Sequence, residues 1–552
     1  MSKINRRKAL QLALAAGGAM IVPATMQRVA RSQIISDEEG YRSPRRPPLY
    51  RRDFEIPLVL PPVRSDDRSG SNGPQDFSGT DYYDITMEKT FKEILPGTQT
   101  EIWAYGPTCR PEYRNIYPYC SVGGSAPGPT IKQVVGRQSV VRQINNLFGK
   151  DGNGDEIYTS VHLHGMASLP QYDGWADDVS FPGQFKDYIY PNNRAATIWY
   201  HDHGVHRTAI NDYMGLAALY IEEDPNEKED IPKGEYDVPL LIADKLMDRD
   251  GQLVYADNGQ KDLEGDIVLV NGVPWPVMQV KRRKYRFRIL NSGISRAYKL
   301  KLSNRDPLTV IASDGGLLES PVETRNLVVG VAERYEVVID FAKYPAGTQI
   351  ELRNGELKNH ERLPRTNKIM RFDVVGGPVS YNPPLPNKLR NDGFNYQEEV
   401  NRLKSQVKRR REIVFERHNG MWAINGRFWA DGGVEANPGL GDVEIWKIVN
   451  KGGGWNHPVH IHLIDFLMMN RKNGRLNNYE RGFKDVIYLG ENQEINVLTK
   501  FGPHVGKYMF HCHNVVHEDH DMMRALEVGQ GGPDPVTTTP AQPYDPSSVP
   551  PL

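Results

Sequence analysis

The chain reads as an all-β protein made of three related β-sandwich domains, and three observations predict this. Gly (51) and Pro (40) are abundant beside 27 Tyr, a composition that favours short strands and turns over long helices. The 552 residues exceed one ordinary core, and at roughly 100–200 residues per domain they suggest about three or four. The third observation is a repeat. "SAPGPTIKQVVGRQSVVRQINN" (125–146), "VNGVPWPVMQVKRRKYRFRILNS" (270–292) and "INGRFWADGGVEANPGLGDVEIWKIVNK" (424–451) each run from a Gly-containing turn through β-runs to Ile-Asn, Leu-Asn or Val-Asn. Copies at that spacing imply β-domains of roughly 130–150 residues.

From the N-terminus, "NRRKALQLALAAGGAMIVPA" has a basic cluster, an apolar run from Ala9 to Val22 and small residues at Val22-Pro23-Ala24. This is the layout of a signal peptide over residues 1–30. The paired Arg6 and Arg7 point to the twin-arginine route, with Ala9 where the usual pattern has an aromatic residue. The expected destination is periplasmic or extracellular. Residues 31–80, rich in Arg, Pro, Ser and Asp, read as an extended arm packed on a later domain. The three domains are expected at 81–225, 235–376 and 412–530. Between the last two, 377–411 reads as a Pro-rich, then charged, linker with one helical turn set, its basic cluster a surface face. Residues 531–552 are low in complexity and expected to be disordered.

A net charge of −1 points to neither a nucleic-acid partner nor an anionic membrane surface. No apolar run beyond the N-terminus reaches membrane length, so no span is expected in the mature chain. A monomer is expected. Of the three cysteines, Cys109 and Cys120 are close enough in sequence to pair across a short loop or to remain free thiols. Cys512 needs its own explanation.

The pattern His-x-His occurs four times: His162/His164, His201/His203, His460/His462 and His511/His513. Chance predicts about 0.4 such pairs for this composition. All four sit in β-like surroundings ("YTSVHLHG", "ATIWYHDH", "HPVHIHLIDF", "GKYMFHCH"), where residues i and i+2 share a face. Two pairs lie in the first repeat, two in the third and none in the second. Eight imidazoles converging between the first and third domains are too many for one ion and imply two or three metals. Imidazole suits copper, zinc, iron or nickel, with copper the strongest competitor.

If His511 and His513 face that cluster, Cys512 between them faces away. Its partners on the far side are His457, His517 and Met522, which with Cys512 make the thiolate, two-imidazole and weak axial thioether set of a blue copper site. Zinc is the alternative, although a closed tetrahedral zinc site gains little from Met522.

Together "HLHG", "DGWADDVSFPGQFKDYIYPNNRAATIWYHDH", "YDVPLLIADK", "RKYRFRILNSG", "ASDGGLLE", "AERYEVVIDF", "GGWNHPVHIHLIDF" and "MFHCHNVVHEDHDMM" resemble the three-domain multicopper oxidases, over roughly residues 80–530. Within that family the bilirubin oxidases and bacterial spore-coat-type laccases are most similar. The resemblance implies three cupredoxin-like Greek-key β-sandwiches and four copper ions. Type 1 copper would take His457, Cys512, His517 and axial Met522. Type 2 would take His162 and His460, and the type 3 pair His164, His201, His203, His462, His511 and His513. No ligand is missing. It also implies that Asp173 and Glu518 bond waters near the cluster and pass protons; orienting ligand histidines or pairing with cations is the other role open to them. Trp455 would lie near the donor-side edge of the blue copper or serve as core packing.

The implied function is oxidation of phenolic, aminophenolic or tetrapyrrole donors at an edge near His457, with O2 reduced to water. Two alternatives stand beside it. One is a metallo-oxidase for Cu(I), Fe(II) or Mn(II), although the 15 Met form no dense run. The other is a non-catalytic, exported copper-binding scaffold.

Overall fold

The computed structural model describes residues 41–60, 62, 79–108, 123–151, 154–257 and 259–545. The expected signal peptide and the Cys109/Cys120 pair lie outside the described residues. Six sheets make three sandwiches, as the all-β reading requires. The first joins sheets of five and five strands, the second seven and five, the third six and five.

Each repeated segment is the crossover between the two sheets of its sandwich. In the first, Thr130–Val134 pairs in parallel with Ala217–Glu223 in one sheet, and Ser139–Asn145 with Asp81–Lys92 in the other. In the second, Val277–Arg282 pairs with Lys368–Pro378 and Lys284–Asn291 with Asp237–Lys245, again both parallel. In the third, Val434–Ala436 pairs with Met523–Val528 and Val443–Lys451 with Val407–His418. The same topology three times explains why the segments resemble one another. Strands switching sheets in this way are the mark of Greek-key sandwiches.

The asparagine ending each copy has one job. Asn145, Asn291 and Asn450 are buried at the start of a loop. Each side-chain oxygen accepts from the backbone amide two residues on, of Leu147, Gly293 or Gly452. Each amide donates to loop carbonyls: Ile157 and Ser180, Arg296 and Val329, Trp455 and Gly490. A buried loop must satisfy its backbone groups, and one Asx side chain does so locally.

The arm from residue 41 runs along the second sandwich. The Ser43 amide and hydroxyl donate to Asp266, the Phe54 amide donates to the Val277 carbonyl and the Val277 amide to the Arg52 carbonyl, before Val59–Leu60 joins a first-sandwich sheet. Two boundaries differ from expectation. The basic run expected in the linker belongs to the strand Val407–His418, where Lys408 pairs with Asp442 and Arg411 with Glu444. The helix Tyr396–Lys404, capped by the Asn395 side chain, does occupy the linker. The tail expected to be disordered from 531 is ordered as far as 545. Asp534 closes a turn by accepting from Val536 and Thr537, and Gln542–Pro543 pairs with Gln184–Phe185. Composition misled here because Pro, Gly and Thr build tight turns as readily as they resist a core.

Candidate metal centre

Strand register assembles the histidines. His162 lies opposite His201 in the ladder of Val161–His164 with Ala196–Asp202, and His460 opposite His511 in that of His457–Ile461 with Gly506–Cys512. Alternation puts the second histidine of each pair on the same face. The two ladders, one from the first sandwich and one from the third, meet ring to ring. His162 stacks on His462 at 3.9 Å between centroids and His164 on His460 at 3.6 Å. All eight imidazoles are buried.

Groups on the outer side fix which nitrogen of each ring points inward. His162 Nδ1 donates to the Asp173 carbonyl (2.5 Å), His460 Nδ1 to the Asp485 carbonyl (2.8 Å) and His462 Nδ1 to Asp173 Oδ2 (2.8 Å). With Nδ1 protonated, Nε2 carries the lone pair. The lone pairs of His162 and His460 then face each other, Nε2 to Nε2 at 3.4 Å, and the Nε2 atoms of His462 and His203 lie 3.1 and 3.2 Å from that of His511. Acceptors opposed at such distances need a cation between them. In the remaining group, His164 Nε2 meets Asp485 Oδ1 (3.1 Å) and His201 Nδ1 donates to the Asp202 carbonyl (2.7 Å). Their other nitrogens, and both of His513, are buried with no partner. Three triads could therefore hold an ion: His162/His164/His460, His164/His201/His513 and His203/His462/His511. Outer-sphere acceptors of this kind fix ring tautomers at metal sites.

Cys512 faces the other way, as the strand period demands. Its Sγ lies 3.3 Å from His457 Nδ1 and 3.6 Å from His517 Nδ1, which are 3.2 Å apart. A point equidistant from the three lies about 2.0 Å from each, within the roughly 2.0–2.3 Å of imidazole and thiolate bonds to a first-row metal. His517 Nε2 donates to the Lys261 carbonyl (2.6 Å), leaving Nδ1 as the inward lone pair. Met522 is buried in the same apolar cluster. Its carbonyl accepts from the Cys512 amide (3.0 Å) and its amide donates to the His517 carbonyl (3.1 Å), so its backbone is tied to both residues.

Burial keeps these rings neutral, as ligands must be. It pushes His201 down to about 4, His203 and His457 to about 3, and His162, His164, His460, His462, His513 and His517 well below the ordinary value. Burial likewise pushes the Cys512 thiol up, so a thiolate there needs a cation beside it.

Both sequence-predicted acids sit at the histidine cluster. Asp173 grips His162 and His462 while its Oδ1 has no partner, and burial raises its carboxyl. Burial would also raise Glu518, but the imidazoles of His511, His203 and His201 hold it at about 2. Its Oε2 lies 2.9 Å from His511 Nδ1 without an aligned hydrogen bond, and its Oε1 accepts from Thr208 Oγ1 (3.1 Å).

His457, expected at the donor edge, is buried with its outer nitrogen unpartnered beside Gly452. His517 is equally buried, under two tryptophans. Trp422 stacks on that ring at 3.8 Å, Trp455 meets it edge-on at 5.7 Å, and Trp422 lines a surface cavity of about 240 Å3 together with Arg417, Gln260 and Met421. Sequence reading passed over Trp422, Lys261, Asp485 and Arg334. Only Asp485 carried a signal, a Lys-Asp pair inside the apolar run "FKDVIYL".

Residues 108–227, 237–360 and 397–532 each match a multicopper oxidase family domain, one per sandwich. The chain is 39% identical to a bilirubin oxidase of Albifimbria verrucaria over 86% of its own length and 81% of that protein's. It is 32% identical to a laccase of Bacillus subtilis over 81% and 94%. Among solved structures it resembles a multicopper oxidase from the hyperthermophile Aquifex aeolicus (27% identity, TM-score 0.72, covering 87% of this chain and all of that one). A laccase from Pediococcus acidilactici is similar at 27% identity and TM-score 0.73, covering 90% of this chain and all of that one. With three sandwiches matched in order and two sets of inward-facing donors that fit copper, the chain belongs to the multicopper oxidase family, copper-dependent oxidoreductases that carry four copper ions and take O2 as acceptor.

Proposed function

We propose that the protein oxidises small phenolic, aminophenolic or tetrapyrrole donors one electron at a time and uses four electrons and four protons to turn O2 into two waters. Bound copper supplies the one-electron chemistry at the donor end and the reduction of O2 at the other. His457, Cys512 and His517, together with Met522, would hold the type 1 ion. His162 and His460 hold type 2. His164, His201 and His513 hold one type 3 ion, and His203, His462 and His511 the other. The single observation that carries the reading is the tripeptide His511-Cys512-His513, whose sulfur belongs to one donor set and whose two imidazoles belong to the other.

The donor would dock in the cavity lined by Trp422, whose ring lies between it and the buried His517. Cys512 links the sites through its own covalent bonds to His511 and His513. Asp173, its carboxyl raised by burial, would hold a proton at Oδ1 on the oxygen side, and Glu518, held ionised with Oε1 accepting from Thr208 Oγ1, would accept and pass protons there.

Cys512→Ser tests the assignment. The variant should lose the intense blue absorption and all donor turnover while its histidine cluster still takes up copper. A variant still blue overturns the ligand set. For the donor class, kcat/KM with bilirubin, dimethoxyphenol and Cu(I) should favour the organic donors; a clear preference for Cu(I) would favour a metallo-oxidase instead.

A further inference from the structure

The second sandwich gives no donor to either set, yet one of its side chains reaches the histidine cluster. Arg334, on the strand Arg334–Asp340, is buried where all three sandwiches meet. Its guanidinium forks onto the Asp485 carboxylate, Nη1 to Oδ1 at 2.6 Å and Nη2 to Oδ2 at 2.5 Å. Nε donates to the Thr197 carbonyl of the first sandwich (3.0 Å), and the Arg334 amide donates to Asp314 in its own (2.8 Å). Asp485 belongs to the third sandwich and, like Asp173, serves two of the clustered histidines from different strand ladders by carboxylate and carbonyl. Its Oδ1 meets His164 Nε2 at 3.1 Å, and its carbonyl accepts from His460 Nδ1 at 2.8 Å.

The chain leaving His164 is shaped around this fork. Gly165 has φ +99°, and a Cβ there would lie 2.8 Å from Arg334 Nη2 and 2.9 Å from Asp485 Oδ2. Only glycine lets the backbone pass so close. Asp485 is also braced from behind, since Asp314 Oδ2 accepts from the Asp485 and Val486 amides and pairs with Lys484.

We propose that Arg334 is a positioning residue of the oxygen site, whose planar fork fixes the Asp485 carboxylate so that His164 is held with Nε2–H outward and its unpartnered Nδ1 facing His201 and His513. The inference rests on the ligand assignment above. It turns on the fork and not on charge alone, because a bidentate guanidinium fixes the plane of a carboxylate whereas an ammonium is a point charge free to swing. Removing an outer-sphere partner of a metal ligand typically costs about 10–100-fold in affinity or activity. A loss confined to one ligand shell should spare the blue centre.

Arg334→Lys, which keeps the charge and loses the fork, is the test. Copper-replete parent, Arg334→Lys, Asp485→Asn and the double variant are compared for copper per chain, blue absorbance, reduction of the blue centre by donor without O2, O2 uptake and urea midpoint. The expected result is a blue centre that fills and reduces as in the parent, with copper retained at the histidine cluster and O2 uptake both down by about tenfold or more. The two single changes should not be additive, since both act through one contact. The inference is overturned if Arg334→Lys matches the parent, if blue and cluster copper fall together with the urea midpoint, or if the two losses multiply. Should Arg334→Lys not fold, Asp485→Asn decides by the same split between the two centres. A parent chain with fewer than four coppers would instead overturn the ligand assignment itself.

Discussion

At the residue scale, the asparagines and Met522 show how much one side chain can decide. Asn291 sits in the sandwich without ligands, and its loop touches the third sandwich through Ile294 and Ser295, which bond Val515 and Asn514. Asn291→Ala strands the Gly293 amide and the carbonyls of Arg296 and Val329. It should lower unfolding stability in urea by about 3 kcal/mol, given roughly 1–3 kcal/mol for each buried group left unpaired. Met522 lies in an apolar cluster with Cys512, Phe415 and Trp422, where no water competes for the metal. A thioether donates to the ion and favours its oxidised form, so Met522→Leu should raise the type 1 potential in a redox titration while keeping the blue colour. An unchanged potential would mean that Met522 is not the axial donor.

At the scale of elements, a tight turn does for Asp173 what strand pairing does for the histidines. Gly174 has φ +79°, and a Cβ there would sit 2.5 Å from the Val161 carbonyl and 2.7 Å from His162 Cα. The turn thus lies directly on the first ligand strand and delivers Asp173 to His162 and His462. Gly174→Ala should cost about 1–2 kcal/mol from the left-handed backbone alone, more with the clash, and should empty the histidine cluster before the blue centre; copper counts on partly loaded protein would show this. The histidine-bearing strands were legible because an i, i+2 pair on a strand can only share a face. The Cys512 set was legible for the complementary reason, that the residue between must face away. Asp485, Arg334, Lys261 and Trp422 were not. Each acts on a ligand at least 95 positions away in the chain, save the near pair of Asp485 with His460, and periodicity carries no information about such contacts. The ordered tail failed for a related reason, since its strand pairs with one some 358 positions earlier.

At the scale of the whole molecule, burying this many imidazoles couples metal, pH and stability. In the metal-free chain nine of the proposed ligand histidines have folded values depressed below the roughly 6.5 of an unfolded chain. Between pH 7 and 5 the unfolded chain therefore takes up protons that the folded chain refuses, and stability is lost as pH falls. Buried carboxyls work in the opposite direction: Asp202 at about 7 and Asp178 and Asp465 at about 6 take up protons in the folded state over the same range. Three such groups offset only part of nine. The urea midpoint of copper-free protein should drop steeply from pH 7 to 5, each unbalanced histidine contributing up to about 1.4 kcal/mol per pH unit. A flat profile would mean that the cluster opens to water without metal.

The order of residues by itself determined the three β-sandwiches, the two donor sets and the sulfur that joins them, because these follow from local rules: period-2 strands, repeated crossovers and the valence of imidazole and thiolate. Only the tertiary structure decided which residues brace the rings and which cover the Cys512 set. Those depend on groups that meet across sandwich interfaces, where burial removes water as the alternative partner and every polar atom must find its match in a distant part of the chain.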